Sequence, residues 1–164
     1  MTELPLLIAL ERDIDNDAIE KLHERTFGPG RFARTAFRIR EQATHDRALS
    51  FTARVGTMLV GSVRLTPVHI GQTPALLLGP LTVEPPFKSV GIGGRLMETS
   101  MEAAREAGHS LVILVGDAPY YGRFGFFAVP PGQVSLPGPV DPGRLLVAEL
   151  RPGAFAGVGG MVAP

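Results

Sequence analysis

The chain has 164 residues, enough for one real core, and its 45% hydrophobic and 20% charged content exclude a disordered or fibrous chain. Sixteen basic residues balance sixteen acidic ones, which argues against a nucleic-acid binder with its usual basic excess. There is no cysteine, hence no disulfide, thiolate nucleophile or zinc–thiolate site. No basic-then-apolar leader and no run long enough to cross a bilayer are present, so no membrane partner and a cytoplasmic location are expected. Residues 1–164 are expected to form a single domain.

Taken in chain order, Leu4 to Leu10 is a short apolar run that predicts the first strand. Asp15 or Asp17 can cap a helix, with Glu20 three residues after Asp17 as in a capping box. Ala18, Ile19, Leu22 and Thr26 share one face of that helix, and Gly28-Pro29-Gly30 ends it. A second helix is predicted from about Arg31 to Gln42. On it Arg31, Arg34 and Arg38 share one face, and Phe32, Ala33, Ala36, Phe37 and Ile39 form the other. Arg40 breaks this pattern by pointing into the apolar face, where a guanidinium needs a partner or a wet cavity.

Leu49 to Val55 and Met58 to Ile70 are β-rich and joined by Gly56-Thr57, a hairpin pattern. Leu76 to Val83 and Leu111 to Val115 are apolar on both faces, so both are expected to be central strands. Between them lies a helix from Gly91 to Ala107, with Met97 and Met101 at core spacing. Pro119 to Phe124 predicts a short helix or turn. Beyond Phe127 the chain is rich in proline and glycine, with strand-like pieces at Gln133 to Leu136, Leu145 to Leu150 and Val158 to Val162. The order predicts an α/β domain with a mixed sheet.

The most informative stretch is LLLGPLTVEPPFKSVGIGG, from Leu76 to Gly94. A strand that feeds a helix through glycines aims bare backbone N–H groups and the positive end of the helix dipole at one point. That is an anion site suited to phosphate or pyrophosphate. A dinucleotide fingerprint would need glycine where Leu96 stands, and a P-loop would need Gly-Lys-Ser/Thr where Gly93-Gly94-Arg95 stands.

In this setting Lys88-Ser89-Val90-Gly91-Ile92-Gly93 resembles the Gln/Arg-x-x-Gly-x-Gly/Ala signature of the GNAT-type N-acetyltransferases. Downstream, VILVGDAPYYGRFGF resembles the next strand and short helix of that family, with Tyr121 four residues before the Gly125-Phe126 pair. The wording LGPLTVEP…GIGGRLM…LVGDAPYYGRFGF is most similar to the YhbS-like branch. The first signature position is Lys88 rather than Gln or Arg, so a side-chain contact made there would differ.

The resemblance implies a GNAT fold: a mixed, twisted sheet flanked by helices and splayed between two central parallel strands, those of Leu76 and Leu111. It implies acetyl-coenzyme A as co-substrate and no metal. The pyrophosphate would be bound by Lys88, Ser89, Val90, Gly91, Ile92, Gly93, Gly94 and Arg95, and the pantetheine arm would pair with the backbone of Leu81, Thr82 and Val83. Pro80 has no N–H, so the ladder must break beside them. Tyr121 would meet the coenzyme and donate to the departing thiolate. Asp117, at the tip of the Leu111 strand, is a candidate base or a helix cap. Glu84 is expected to be a surface or helix-approach residue, His69 and His109 are expected to be solvated, and Tyr120 to be structural or acceptor-lining. Without cysteine a thioester enzyme intermediate is unavailable, so a primary amine would attack directly in a ternary complex of a monomer or homodimer. A non-catalytic acyl-coenzyme A-binding or sensing module is the alternative.

Overall fold

The computed structural model describes residues 5–28 and 35–164. Strand β1 (Leu6–Leu10) is followed by helices α1 (Asn16–Phe27) and α2 (Thr35–Gln42), and then by β2 (Phe51–Val55), β3 (Met58–Ile70) and β4 (Thr73–Val83). Helix α3 (Ile92–Glu106), β5 (Leu111–Val115), the one-turn α4 (Ala118–Tyr121) and β6 (Phe127–Ala128) come next. Strands β7 (Val134–Ser135), β8 (Leu145–Glu149) and β9 (Gly160–Ala163) complete the described chain. Of the predicted arginine row, Arg31 and Arg34 lie outside the described residues, while Arg38 is exposed.

The main sheet runs β1-β2-β3-β4-β5-β8-β6, antiparallel throughout except for the parallel β4–β5 pair. Central β4 and β5 are buried almost end to end, as their apolar runs predict, and β3, read only as β-rich, is buried along most of its length despite Ser62, Arg64 and Thr66. Helix α3 covers one face, burying Ile92, Leu96, Met97 and Met101 against Val60, Val63, Leu65 and Leu76. It sits close because β3 has Gly61 beneath it, where a Cβ would lie 3.0 Å from Leu96 Cδ1 and 3.2 Å from Ile92 Cγ2. The other face is covered by the C-terminal third, through Val134, Leu136, Phe155, Val158 and Val162. Strand β9 pairs with the far end of β3 and carries β7 beside it. The Gly160 N–H donates to the Gln133 carbonyl and the Gln133 side chain donates to the Val158 carbonyl.

Two irregularities set up the cleft. β4 pairs with β5 only at Leu76–Val112 and Leu77–Ile113, after which the two strands part. Against β3, the register steps from Leu65–Leu78 to Val63–Leu81, so β4 carries one extra residue at Gly79-Pro80. Gly79 has φ +124°, a conformation that favours glycine.

A charged network joins the N-terminal elements to β3. Arg64 donates to Glu11 (2.9 Å), Glu20 (3.2 Å) and Asn16 (3.0 Å), and His45 Nε2 lies 2.6 Å from the same Glu11. The helix-start carboxylates therefore do other work than predicted. Asp15 is buried, accepts the Arg12 N–H and pairs with Arg54 instead of capping α1 with its side chain, and Glu20 turns to Arg64. Burial by itself would raise the Glu11 pKa, but the hydrogen bonds from His45 and Arg64 outweigh it and hold the carboxyl below 4.5. A carboxylate depressed in the folded state stabilises the fold above its unfolded pKa, and that stability is lost as pH falls through the folded value. Denaturant melts should therefore weaken steadily below pH 4.5, the unfolded value for Glu11. Glu11→Gln should lose about 3–5 kcal/mol at neutral pH, because Arg64 is left buried without its main counterion, and should flatten that acid limb.

Candidate active site

Two cavities lie beside the parting of β4 and β5 and share Leu81 and Tyr120. The first, about 640 Å³, is walled by Leu81 and Val83 of β4, by Lys88 and by Gly91, Gly93 and Gly94 at the start of α3. Gly91 is the N-cap residue, with φ +82° and no side chain capping the helix. The uncapped end of this four-turn helix, lined by glycines and one lysine, turns free backbone N–H groups and the positive end of the helix dipole toward the cavity. A Cβ on Gly91 would meet nothing within 4 Å, so the glycine there serves the backbone turn and access to the cavity, not packing within the protein.

The residues nominated for coenzyme binding divide by what they present. Leu81, Val83, Lys88, Gly91, Gly93 and Gly94 border this cavity. Thr82 turns the other way, its hydroxyl donating to the Ser62 carbonyl, so only its backbone is available. The Ile92 side chain is buried in the core under α3, which likewise leaves only its backbone. Val90 and Arg95 are exposed, and the Arg95 N–H already donates within the helix to Gly91. Ser89 lies in the short 3-10 turn Pro85–Val90 before the helix. Glu98, Arg123 and Phe124 also line the cavity; no motif pointed to them.

The second cavity, about 810 Å³, is a groove between the broken part of β4, the end of β5, α4 and the segment 139–144. Tyr121 and Asp117 line it together with Arg40, Leu81 and Arg144. Tyr120 borders both cavities. Its hydroxyl lies over the start of α3, where a Cβ on Gly93 would come within 2.9 Å of it. Its ring stacks edge-on with Tyr121 at 4.9 Å and carries the Arg123 guanidinium 4.6 Å from its centroid.

Two glycines make room for the groove's polar side chains. A Cβ on Gly116 would collide with the Tyr121 ring, and one on Gly79 would lie 2.6 Å from Arg40 Nη2. Burial, with a smaller push from Tyr120, raises the Tyr121 phenol to about 12, so it is protonated at neutral pH. Burial also pulls the Arg40 guanidinium down to about 9, still charged at neutral pH. The helical phase placed Arg40 inward, and there it lies, its Nε enclosed and its Nη2 3.4 Å from the Leu78 carbonyl.

Of the two carboxylates, Asp117 takes the helix-cap alternative and Glu84 is buried. Asp117 is exposed at the groove and accepts the Tyr120 N–H at 3.3 Å, capping α4. Glu84, read as a surface or helix-approach residue, is buried and ion-paired with Arg25 of α1. His69 is exposed, as expected of a histidine near a strand end.

Comparison with known proteins matches this architecture. The acetyltransferase (GNAT) domain model matches residues 12–129. The chain is 33% identical over 116 residues to the uncharacterized N-acetyltransferase YjhQ of Escherichia coli K12, an overlap covering 68% of this chain and 64% of YjhQ. It is 27% identical over 159 residues to YhbS of the same organism, covering 96% and 95% of the two chains. The crystal structure of E. coli YhbS in complex with coenzyme A superposes with a TM-score of 0.83 at 26% identity, over 99% of this chain and 91% of that one. A GNAT-family acetyltransferase of Brucella melitensis in complex with acetyl-coenzyme A gives 0.71 at 25% identity, over 98% and 96%. With the family model matched across the start of α3, the broken strand and the tyrosine helix, the chain belongs to the GNAT family of acetyltransferases.

Proposed function

We propose that this chain transfers an acetyl group from acetyl-coenzyme A to a primary amine, by direct attack in a ternary complex. The observation that carries the reading is the cleft itself: a glycine-lined helix start at one end and an open groove at the other, meeting at Leu81 and Tyr120. The two solved relatives named above hold coenzyme A and acetyl-coenzyme A. The reading takes residues 1–164 as one domain, acting in the cytoplasm as a monomer or homodimer.

Each step falls to residues in place. The β5-facing edge of β4 beyond Leu77 is where the pantetheine arm lies as an added strand, and the backbone N–H groups near Leu81 polarise the thioester carbonyl. The amine enters by the groove and attacks as the free base. Its proton leaves to water, with Asp117 as the carboxylate at the mouth that receives it.

Tyr121 faces the departing sulfur. A thiolate of ordinary pKa, ~8.5, is far less basic than a phenolate from a phenol at about 12, so complete proton transfer is uphill by about 5 kcal/mol. The phenol therefore acts by donating a hydrogen bond to the charge that develops on sulfur, and the thiolate leaves as such or takes its proton from solvent.

Two measurements test this. Tyr121→Phe keeps the ring in its Gly116 recess and removes the donor, so kcat should fall by about 10- to 1000-fold with coenzyme affinity unchanged. A variant as fast as the parent reduces Tyr121 to packing. Gly91→Val forces a branched residue to φ +82° at the start of α3 and should weaken coenzyme A binding by at least about 10-fold in calorimetry on folded protein. Unchanged affinity would remove the diphosphate from this loop. Binding without coenzyme A release on any amine would make the chain a sensing module.

A further inference from the structure

We propose that Arg123, in the turn after α4, binds a phosphate group of coenzyme A. This rests on the acetyltransferase reading above, which puts the coenzyme in the first cavity, and it adds a binding residue from outside the signature loop.

The side chain is carried to the cavity by aromatic rings. Arg123 lies in the short 3-10 turn Gly122–Phe124 that follows α4, and it lines the first cavity together with Lys88, Gly91, Gly93 and Gly94. The turn sits against the start of α3. A Cβ on Gly93 would come within 2.9 Å of the Tyr120 hydroxyl, and one on Gly94 would lie 3.7 Å from Phe124 Cζ. The Arg123 guanidinium rests on those same two rings, 4.6 Å from the Tyr120 centroid and 5.6 Å from that of Phe124. Rings that touch the first turn of α3 therefore hold a cation beside it. A guanidinium already settled on rings has lost part of its rotamer freedom, so less is lost when a ligand arrives.

The fold itself makes little use of this cation. Its one hydrogen bond runs from Nε to the Tyr120 carbonyl at 3.4 Å, and it pairs with no carboxylate among the described residues. That leaves both Nη groups uncommitted. The charges around it favour an anion. Lys88 is a second cation on the cavity wall, and the free N–H groups that open α3 add partial positive charge. The acid on the wall is Glu98, exposed, one turn along α3 from Gly94 and without an ion pair to Arg123 or Lys88 among the described residues. Asp117 lines the groove instead, where it caps α4. Phosphate oxygens match the planar fork of arginine with two parallel N–H donors. Coenzyme A offers such oxygens at its diphosphate and at its ribose 3′-phosphate.

The test is calorimetry of coenzyme A and of dephospho-coenzyme A, which lacks the 3′-phosphate, on the parent, Arg123→Gln and Arg123→Lys. Arg123 is exposed, so both variants should keep the parent's thermal melt. Arg123→Gln should raise the Kd for coenzyme A by about 10-fold at low salt, the worth of one charged hydrogen bond. That difference should shrink toward none near ~1 M salt, where the screening length falls to about 3 Å. Arg123→Lys should recover most of the loss, because lysine still meets phosphate as a point charge. An unchanged Kd in Arg123→Gln overturns the proposal. A loss that is the same at every salt concentration, or that Arg123→Lys shares in full, also overturns it, since either marks packing of the turn against α3. A loss that persists with dephospho-coenzyme A puts Arg123 on the diphosphate, and one that vanishes puts it on the 3′-phosphate; both support the site. If the parent binds coenzyme A and the variants bind it equally well, this inference alone falls. If the parent does not bind coenzyme A, the acetyltransferase reading falls with it.

Discussion

Two pairings hold β4 to β5, and the cleft exists because there are no more of them among the described residues. A parallel pair of apolar strands in the middle of a sheet would ordinarily zip along its whole length. Here the zipping stops after Leu77 and Ile113. Pro80 offers no N–H, Gly79 turns through a conformation that other residues disfavour, and the extra residue in β4 is taken up against β3. On the far side β5 stays straight, because β8 pairs with all five of its residues. One strand bends away from a neighbour that is held fixed. The main-chain groups exposed along the gap must find partners elsewhere, and a strand-like ligand arm can supply them.

The side chains in the gap come from elements far apart in sequence, and glycine lets them in. Arg40 lies over Gly79 on β4, and Tyr121 lies over Gly116 just past β5. Each recess is a missing side chain at the edge of the opening, so the polar groups lie flush with the strands and leave the middle of the groove open. The same device repeats at Gly93 under the Tyr120 hydroxyl. Close packing of α3 at Gly61 then fixes the glycine-lined start of that helix to the same sheet that carries the gap.

Much of this was legible in the sequence. The strand Leu111–Val115 has the bounds its apolar run predicts, and α3 begins at the glycine predicted to open it, Gly91. The inward turn of Arg40 followed from helical phase alone, although two of the three arginines in the row, Arg31 and Arg34, lie outside the described residues. What periodicity cannot carry was missed. Glu84 reads as a surface or helix-approach acid because its partner, Arg25, stands 59 positions earlier and nothing local announces it. Ile92 belongs to the signature loop, yet a loop motif specifies backbone, and the side chain went to the core. Asp15 has a cap's position, but Arg54 across the fold competes for its carboxylate. The two-residue strand β6 and the groove segment 139–144 are too short or too rich in proline and glycine to show a period.

The groove's two walls stand on separate foundations. The coenzyme side rests on β4 and α3, the middle of the chain. The outer wall, from Pro139 to Arg144, belongs to the C-terminal third. There it is moored at one end where the Gly116 N–H donates to the Arg144 carbonyl, and upstream by β7 against β9, which is itself sewn to β3. Substitutions and length changes between Leu136 and Asp141 reshape the outer wall of the groove without touching β4 or the start of α3. Selection can therefore exchange one acceptor for another at nearly constant coenzyme affinity, and new specificities in this lineage should accumulate in the last third of the chain while the middle stays still.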